Sequence, residues 1–265
     1  MDFLKDHWNK TSVFAVMNWG LGHATRSIPI IHRLLLHNNR ISILSDGEAM
    51  DLLKAEFPSL KYHEAPSYGV TYSTSSIWIN MAKAVHKIIR AIAGEHAQLE
   101  NIISSECPHL IISDSRFGCY SRLVKSIAIV HQVQIYSKNK VLALLATRLN
   151  LFLLNRFDSC WIMDDKNLPA AGNLSNSKGL NDCIYIGKQS RMKKKVETIL
   201  YDICVVLSGP EPMRSKLEEK LASIFVDSDR KICFVKGRKG SKSNSVSDRI
   251  DFFEILNSEE LNRVC

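Results

Sequence analysis

A short apolar run that ends in a glycine-containing loop and passes at once into a helical apolar pattern constrains this chain more than any other feature. Ser12 to Met17 is the run and Asn18-Trp19-Gly20-Leu21-Gly22-His23 the loop, while Ile28, Ile31, Leu34 and Leu35 carry the helical spacing. Pro29 is tolerated best near a helix start, so the first turn is placed around Thr25 to Ser27. Arg40 to Leu44 then reads as a strand, Glu48 to Glu56 as a helix and Lys61 to Ala65 as a strand. This β-α-β-α-β alternation predicts an α/β fold with a Rossmann-like parallel sheet.

The rest of the chain continues the pattern. Pro66 to Ile79 is a long Ser/Thr/Tyr-rich connection, readable as a substrate loop or as an ordinary surface loop. Asn80 to Ser104 is a long helix with Val85, Ile88, Ile89, Ile92, Leu99, Ile102 and Ile103 on one stripe. Strands follow at His109 to Ser113, Ile127 to Val130, Ser159 to Met163 and Cys183 to Ile186. The expected N-terminal domain is therefore 1–187, with a basic linker over 188–200. The remainder, 201–265, holds a strand (Asp202 to Leu207), a loop (Ser208 to Pro212), a helix (Met213 to Phe225) and a strand (Lys231 to Val235). One such unit plus a remnant does not cover both faces of a parallel sheet, so an incomplete second Rossmann-like domain is expected. The length of 265 residues suits that division.

Charge narrows the function classes. The net charge of +8 would suit nucleic acid, an anionic membrane or a phosphorylated small molecule. Much of it lies in Arg191 to Lys195 and Lys236 to Lys242, with no aromatic residues interleaved for base stacking, which disfavours nucleic acid. Seven cysteines, odd in number and without a C-x-x-C pair, indicate a reducing compartment. The opening residues lack a signal-peptide pattern, so the expected location is the cytoplasm. Val141 to Leu154 is too short to span a bilayer and carries Arg148 and Asn150, so it reads as a buried or interfacial helix. A place at the inner membrane face, by peripheral association, stays open.

Several residues then stand out by position. Gly20 and Gly22 lie where open α/β sheets form their binding crevice, and the helix-start amides of Ala24, Thr25 and Arg26 would favour an anion. The loop lacks the third glycine and the ribose-binding acid of a dinucleotide site, and a plain tight turn would use the same glycines. His23 sits at the strand-to-helix mouth, where an imidazole can accept a proton near neutral pH. Asp114 follows Leu110-Ile111-Ile112-Ser113 and should share that edge, able to orient His23; a turn-forming role ahead of Gly118 fits it equally. Arg26 and Arg116 adjoin these groups as candidate binders of phosphate or carboxylate. Asp227-Ser228-Asp229 reads as a surface turn, no zinc-ligand spacing occurs, and Gly237 to Lys242 fails the P-loop pattern, so no metal or cofactor is expected.

Asn18 to Arg26 resembles the N-terminal loop of bacterial MurG-like glycosyltransferases of the GT-B fold. Ile112 to Gly118, His131-Gln132, Cys160 to Asp164, Leu174-Ser175 and Leu207 to Pro212 are similar to that group's later landmarks, in order, over about residues 11–236. The resemblance implies transfer of a hexose or N-acetylhexosamine from a UDP-linked nucleotide-sugar to a glycan, lipid or small-molecule acceptor. It implies His23 as base and Asp114 as its orienter in a metal-independent inverting attack, with Asn18, Gly20, Gly22, Thr25, Arg26 and Arg116 binding substrate. Ser208, Gly209 and Glu211 would form a donor-side loop, although Glu211 would repel a diphosphate unless paired. Lys236 to Asn262 does not resemble the family's continuation, which implies C-terminal truncation and leaves the activity of this chain open. A nucleotide-sugar hydrolase and a non-catalytic acceptor-domain subunit or remnant are the competing readings.

Overall fold

The structure is a computed structural model that describes residues 3–68, 77–194, 198–209, 211–240 and 248–265, the side chains of 77–85 excepted. The Pro66 to Ile79 connection thus lies largely outside the described residues.

Two parallel sheets organise the described residues. The first is built from β1 (Thr11–Val16), α1 (Gly22–Leu36), β2 (Arg40–Ser45), α2 (Gly47–Glu56), β3 (Lys61–Glu64), α3 (Ile77–Glu106), β4 (Leu110–Asp114), β5 (Lys125–Val130), α4 (Lys140–Leu154), β6 (Ser159–Ile162) and β7 (Cys183–Tyr185). Its strand order, β3-β2-β1-β4-β5-β6-β7, reverses direction between β1 and β4. At such a reversal the flanking connections leave on opposite faces and open a crevice at the carboxyl ends of the strands.

Side-chain alternation along the strands builds the two faces. Phe14, Val16, Ile41, Ile43, Ile112, Ile127 and Ile129 pack with Ile28, Ile31 and Leu34 of α1 and Leu52 and Leu53 of α2. On the opposite face Val13, Ala15, Leu44 and Ile111 meet Leu99 and Ile102 of α3, and Ala128 and Val130 meet Leu154 of α4. Residues buried on both faces explain the nearly unbroken apolar runs.

Helix α1 begins at Gly22, earlier than its sequence suggests, and Pro29 lies inside it. The placement from Pro29 fails because packing of Ala24, Ile28 and Ile31 into the core outweighs one missing backbone hydrogen bond. The first-turn amides are accordingly those of Gly22, His23 and Ala24, while Thr25 N donates to Leu21 O at 2.9 Å.

The second sheet has the order β10-β9-β8, from β8 (Ile203–Val206), α5 (Met213–Phe225), β9 (Ile232–Val235) and β10 (Ile250–Phe253), and α6 (Ser258–Val264) follows. Strand β10 and helix α6 were not anticipated. Ile250 and Phe252 complete a small core with Leu207, Ala222, Ile232 and Phe234, and Asn257 with Glu260 forms a capping box that starts α6.

This smaller domain docks on α2. Arg214 reaches Glu48 at 2.6 and 2.8 Å, Lys239 Nζ lies 2.9 Å from Asp51, and Ser258 N donates to Glu56 at 2.6 Å. Arg191, in the connection between the sheets, donates to Leu256 O at 2.9 Å.

Candidate active site

The site grows from the strand ends at the reversal point. Val16 of β1 pairs with Asp114 of β4, and Met17 N donates to Asp114 O at 3.1 Å. The chain then turns through Gly20, whose φ of +82° is the left-handed region that glycine enters without strain. A Cβ on Gly20 or Gly22 would meet no protein atom within 4 Å, so both face open space. Leu21 between them is buried, and the second domain leans on it. A Cβ on Gly237, just after β9, would stand 2.6 Å from Leu21 Cδ1 and 3.1 Å from Leu207 O. The carboxyl ends of the two sheets therefore meet here.

On the first turn of α1, His23 Nδ1 lies 2.9 Å from Asp114 Oδ1. The Asp114 side chain is fully buried, while the His23 ring keeps 12% of its surface exposed. Asp114 also accepts from Arg26 Nε at 2.8 Å, Ser27 Oγ at 3.0 Å and Ser115 Oγ at 3.2 Å, and Arg26 Nη2 forms a short contact to Oδ1. Burial alone would raise the Asp114 carboxyl, but the Arg26 guanidinium and His23 hold it well below the usual carboxylate range. It carries its negative charge at neutral pH.

That charge settles the His23 tautomer. Arg26 Nη2 also approaches His23 Nδ1, at 2.6 Å, but one nitrogen cannot both donate to Asp114 and accept from Arg26. With a carboxylate in place the proton belongs on Nδ1, and Arg26 forks onto Asp114 through Nε and Nη2. The lone pair of His23 Nε2 is left free to accept a proton.

Sequence reasoning passed over one member of this cluster as a site residue. His131 directly follows β5, with its Nδ1 2.5 Å from Arg26 Nη1 and its ring edge-on to His23 at 5.9 Å. Desolvation and then the Arg26 charge push its pKa to about 4, so it is neutral and accepts from the guanidinium. The signal was available: a histidine at the carboxyl end of the strand beside β4.

Other expected residues serve the scaffold. Arg116 was expected to bind substrate, but its side chain is fully buried. It donates to Val16 O at 2.7 Å, Pro66 O at 3.2 Å and Glu95 Oε1 at 2.8 Å, and it contacts Asp46 closely. Its fork ties three loops and α3 together. Asn18 Oδ1 accepts from Ala49 N at 3.3 Å and so caps α2 from a neighbouring loop, and Thr25 Oγ1 donates to Gly22 O at 3.0 Å. Arg26 itself is committed to Asp114 and His131.

On the facing edge, Ser208 is exposed and Gly209 has φ +108°, while Pro210 lies outside the described residues. Glu211 is paired: its Oε1 accepts from Arg214 and from Arg238 Nη1 at 2.9 Å, and its Oε2 from Ser215 Oγ at 2.6 Å. Burial opposes its charge, but Ser215 and Arg214 hold the carboxyl below its ordinary value. Asp229 is exposed in the turn between α5 and β9, away from this edge, and no group of three or more metal-ligating side chains occurs among the described residues.

No protein-family model matches the chain, and no curated protein sequence does so either. Solved structures do. The calicheamicin glycosyltransferase CalG4 superposes with a TM-score of 0.57 at 12% identity, covering 95% of this chain and 72% of its own. The Streptomyces sp. SF2575 glycosyltransferase SsfS6, complexed with thymidine diphosphate, gives 0.57 at 7% identity over 97% and 74%. A putative UDP-N-acetylglucosamine 2-epimerase from Listeria monocytogenes gives 0.51 at 12% identity over 94% and 70%. At such identities the likeness concerns the fold, and the fold is the GT-B arrangement of two Rossmann-like domains, the second one small.

Proposed function

We propose that this chain is a glycosyltransferase that moves a sugar from a nucleotide-sugar to an acceptor hydroxyl by metal-independent inverting attack. The observation that carries this is the His23–Asp114 pair at the reversal point, its tautomer set by a buried carboxylate and its ring partly exposed. His23 Nε2 takes the proton of the acceptor hydroxyl as its oxygen attacks the anomeric carbon. The bond from that carbon to the donor diphosphate breaks, and the nucleoside diphosphate leaves with the electron pair. Asp114 stabilises the imidazolium that forms. Arg26 fixes Asp114, and His131 fixes Arg26. Donor contacts fall to the Ser208-Gly209 edge, where Glu211 is neutralised by Arg214 and Arg238. A UDP-linked hexose or N-acetylhexosamine and a cytoplasmic setting complete the proposal.

The test is nucleoside diphosphate release from a panel of UDP-sugars and acceptors, with His23→Ala alongside. Removing the base should lower turnover by about 10²- to 10⁴-fold, and undiminished turnover would sink the assignment. The epimerase among the similar folds favours one alternative, in which the same base activates water or abstracts a sugar proton. Free or epimerised sugar formed without any acceptor would identify that chemistry.

A further inference from the structure

Three of the seven cysteines lie on one face of the second sheet. Cys204 of β8 and Cys233 of β9 are register partners, and parallel neighbours in register point to the same side. Cys265, directly after α6, meets them there, its Sγ 3.2 Å from Cys204 Sγ. Closing that gap to an S–S bond of about 2.05 Å takes about 1.2 Å of side-chain movement. Access separates this pair from the other thiols of the domain cores. Cys265 is exposed and Cys204 half-buried, whereas Cys119, Cys160 and Cys233 are buried, and Cys233 Sγ faces Val264 O at 3.9 Å.

Segment 255–265 is also the joint between the domains. Ile255 packs against the core of the first sheet, and Ser258 N donates to Glu56 of α2 at 2.6 Å. The connection between the sheets is held by Arg191 on Leu256 O at 2.9 Å and by Lys193 N on Asn262 Oδ1 at 3.1 Å. A bond from Cys265 to Cys204 would fix this segment to β8. We propose that Cys204 and Cys265 form a disulfide by exchange with a small-molecule disulfide such as oxidised glutathione, and that the bond fastens the interdomain joint. The Cys265 thiolate attacks one sulfur of the reagent, whose S–S bond breaks and releases one thiolate. The Cys204 thiolate then attacks the Cys265 sulfur and releases the second. Two protein thiols are oxidised, the reagent disulfide is reduced to two thiols, and the two cysteine protons end on the leaving thiolates. Burial raises the Cys265 thiol to about 12 and the Cys204 thiol to about 11, so the exchange is slow at neutral pH and quickens in alkaline buffer. A reducing setting leaves the pair as thiols. The inference stands whether or not the chain transfers sugar.

Incubating the full chain with oxidised glutathione in mildly alkaline buffer tests it, followed by alkylation of the remaining thiols and digestion without reduction. Mass spectrometry should find the Cys204 and Cys265 peptides joined and lighter by two hydrogens, and Cys265→Ser should abolish the joined species. Free thiols at both positions, glutathione retained on Cys265, or a Cys204–Cys233 bond in the parent chain would each overturn the pairing. The fastening has its own readout. Trypsin cleavage of the native chain at Arg191 and Lys193 should slow several-fold on oxidation and recover with dithiothreitol, because cleavage follows opening of the joint. In Cys265→Ser the same oxidation should leave the cleavage rate unchanged. Equal cleavage of the oxidised and reduced parent would overturn the fastening, even with the bond formed.

Discussion

Replacing Arg116 by Met separates the scaffold role of that residue from the substrate-binding role its position suggested. The side chain is fully buried and faces two carboxylates, Glu95, also fully buried, and Asp46, at 10% exposure. Met fills similar volume and removes the charge, leaving both acids without their cation. Breaking a buried pair from one side costs about 3–5 kcal/mol. Two features hold the cost near the lower figure: Glu95 Oε2 keeps the Tyr68 hydroxyl and Gly118 N, both at 3.0 Å, and Asp46 keeps the Asn18 amide at 3.4 Å. For a chain of this size that corresponds to a melting-temperature drop of roughly 10 °C. The pH dependence carries a sign. Burial already raises the Glu95 carboxyl despite Arg116, so the native state holds this proton more tightly than the unfolded chain does. Its stability contribution is full below the ordinary carboxylate pKa and is lost as pH rises through the raised value. Without Arg116 that value rises further, so the gap between variant and parent should widen from mildly acidic to mildly alkaline buffer, and Arg116→Met/Glu95→Gln should close part of it. Urea unfolding followed by far-ultraviolet circular dichroism measures all three proteins. A loss below about 0.5 kcal/mol, within the range of ordinary surface substitutions, would refute the buried-tie account and return Arg116 to the cleft.

Asp114→Asn should leave the fold intact by circular dichroism yet lower turnover by about 10²- to 10⁴-fold, because an amide oxygen holds the Nδ1–H tautomer of His23 less firmly and leaves Arg26 without its carboxylate; activity within a few fold of the parent would dismiss the dyad. His131, with its pKa at about 4, should show neutral-ring NMR shifts well below its ordinary value of 6.5, and Arg26→Ala should move its titration upward. Since its folded pKa is depressed, its stability contribution is present above 6.5 and is lost as pH falls towards 4; a titration near the ordinary value would remove His131 from the cluster. Gly237→Ala places a Cβ 2.6 Å from Leu21 Cδ1 at a φ of +69°, which should cost about 1–3 kcal/mol, and less when measured in a Leu21→Ala background; a neutral Gly237→Ala would mean that the two domains do not meet at this loop.

The sheet was legible because its strands are buried on both faces, so runs such as Leu110 to Ser113 and Ile127 to Val130 stand out without any alternation to decode. Its extremes were harder. Strand β10 is only Ile250 to Phe253, a run too short to tell strand from helix by pattern, and its pairing with β9 decides the matter. The start of α1 was misplaced for a similar reason: local chemistry at Pro29 argued one way and burial of Ala24 and Ile28 the other. Contacts formed across the chain decided both.

The candidate site divides along a different line. Position at the carboxyl end of a strand singled out His23 and Asp114, and the structure brings them within hydrogen-bond distance. The same rule, applied evenly, would have included His131 and was indifferent to whether Arg116 points into the cleft or the core. What decides Arg116 is a residue on another element. Glu95 lies on the same helical stripe as Ile88, Ile92 and Leu99, a carboxylate amid apolar side chains at spacings of four, three and four. A charge in that setting requires a buried cation, and an arginine that follows an apolar strand, in a loop packed against the helix, can supply one. Glu95 and Arg116 are each ambiguous alone; taken as a pair they assign one another to the core, and the open edge is left to His23.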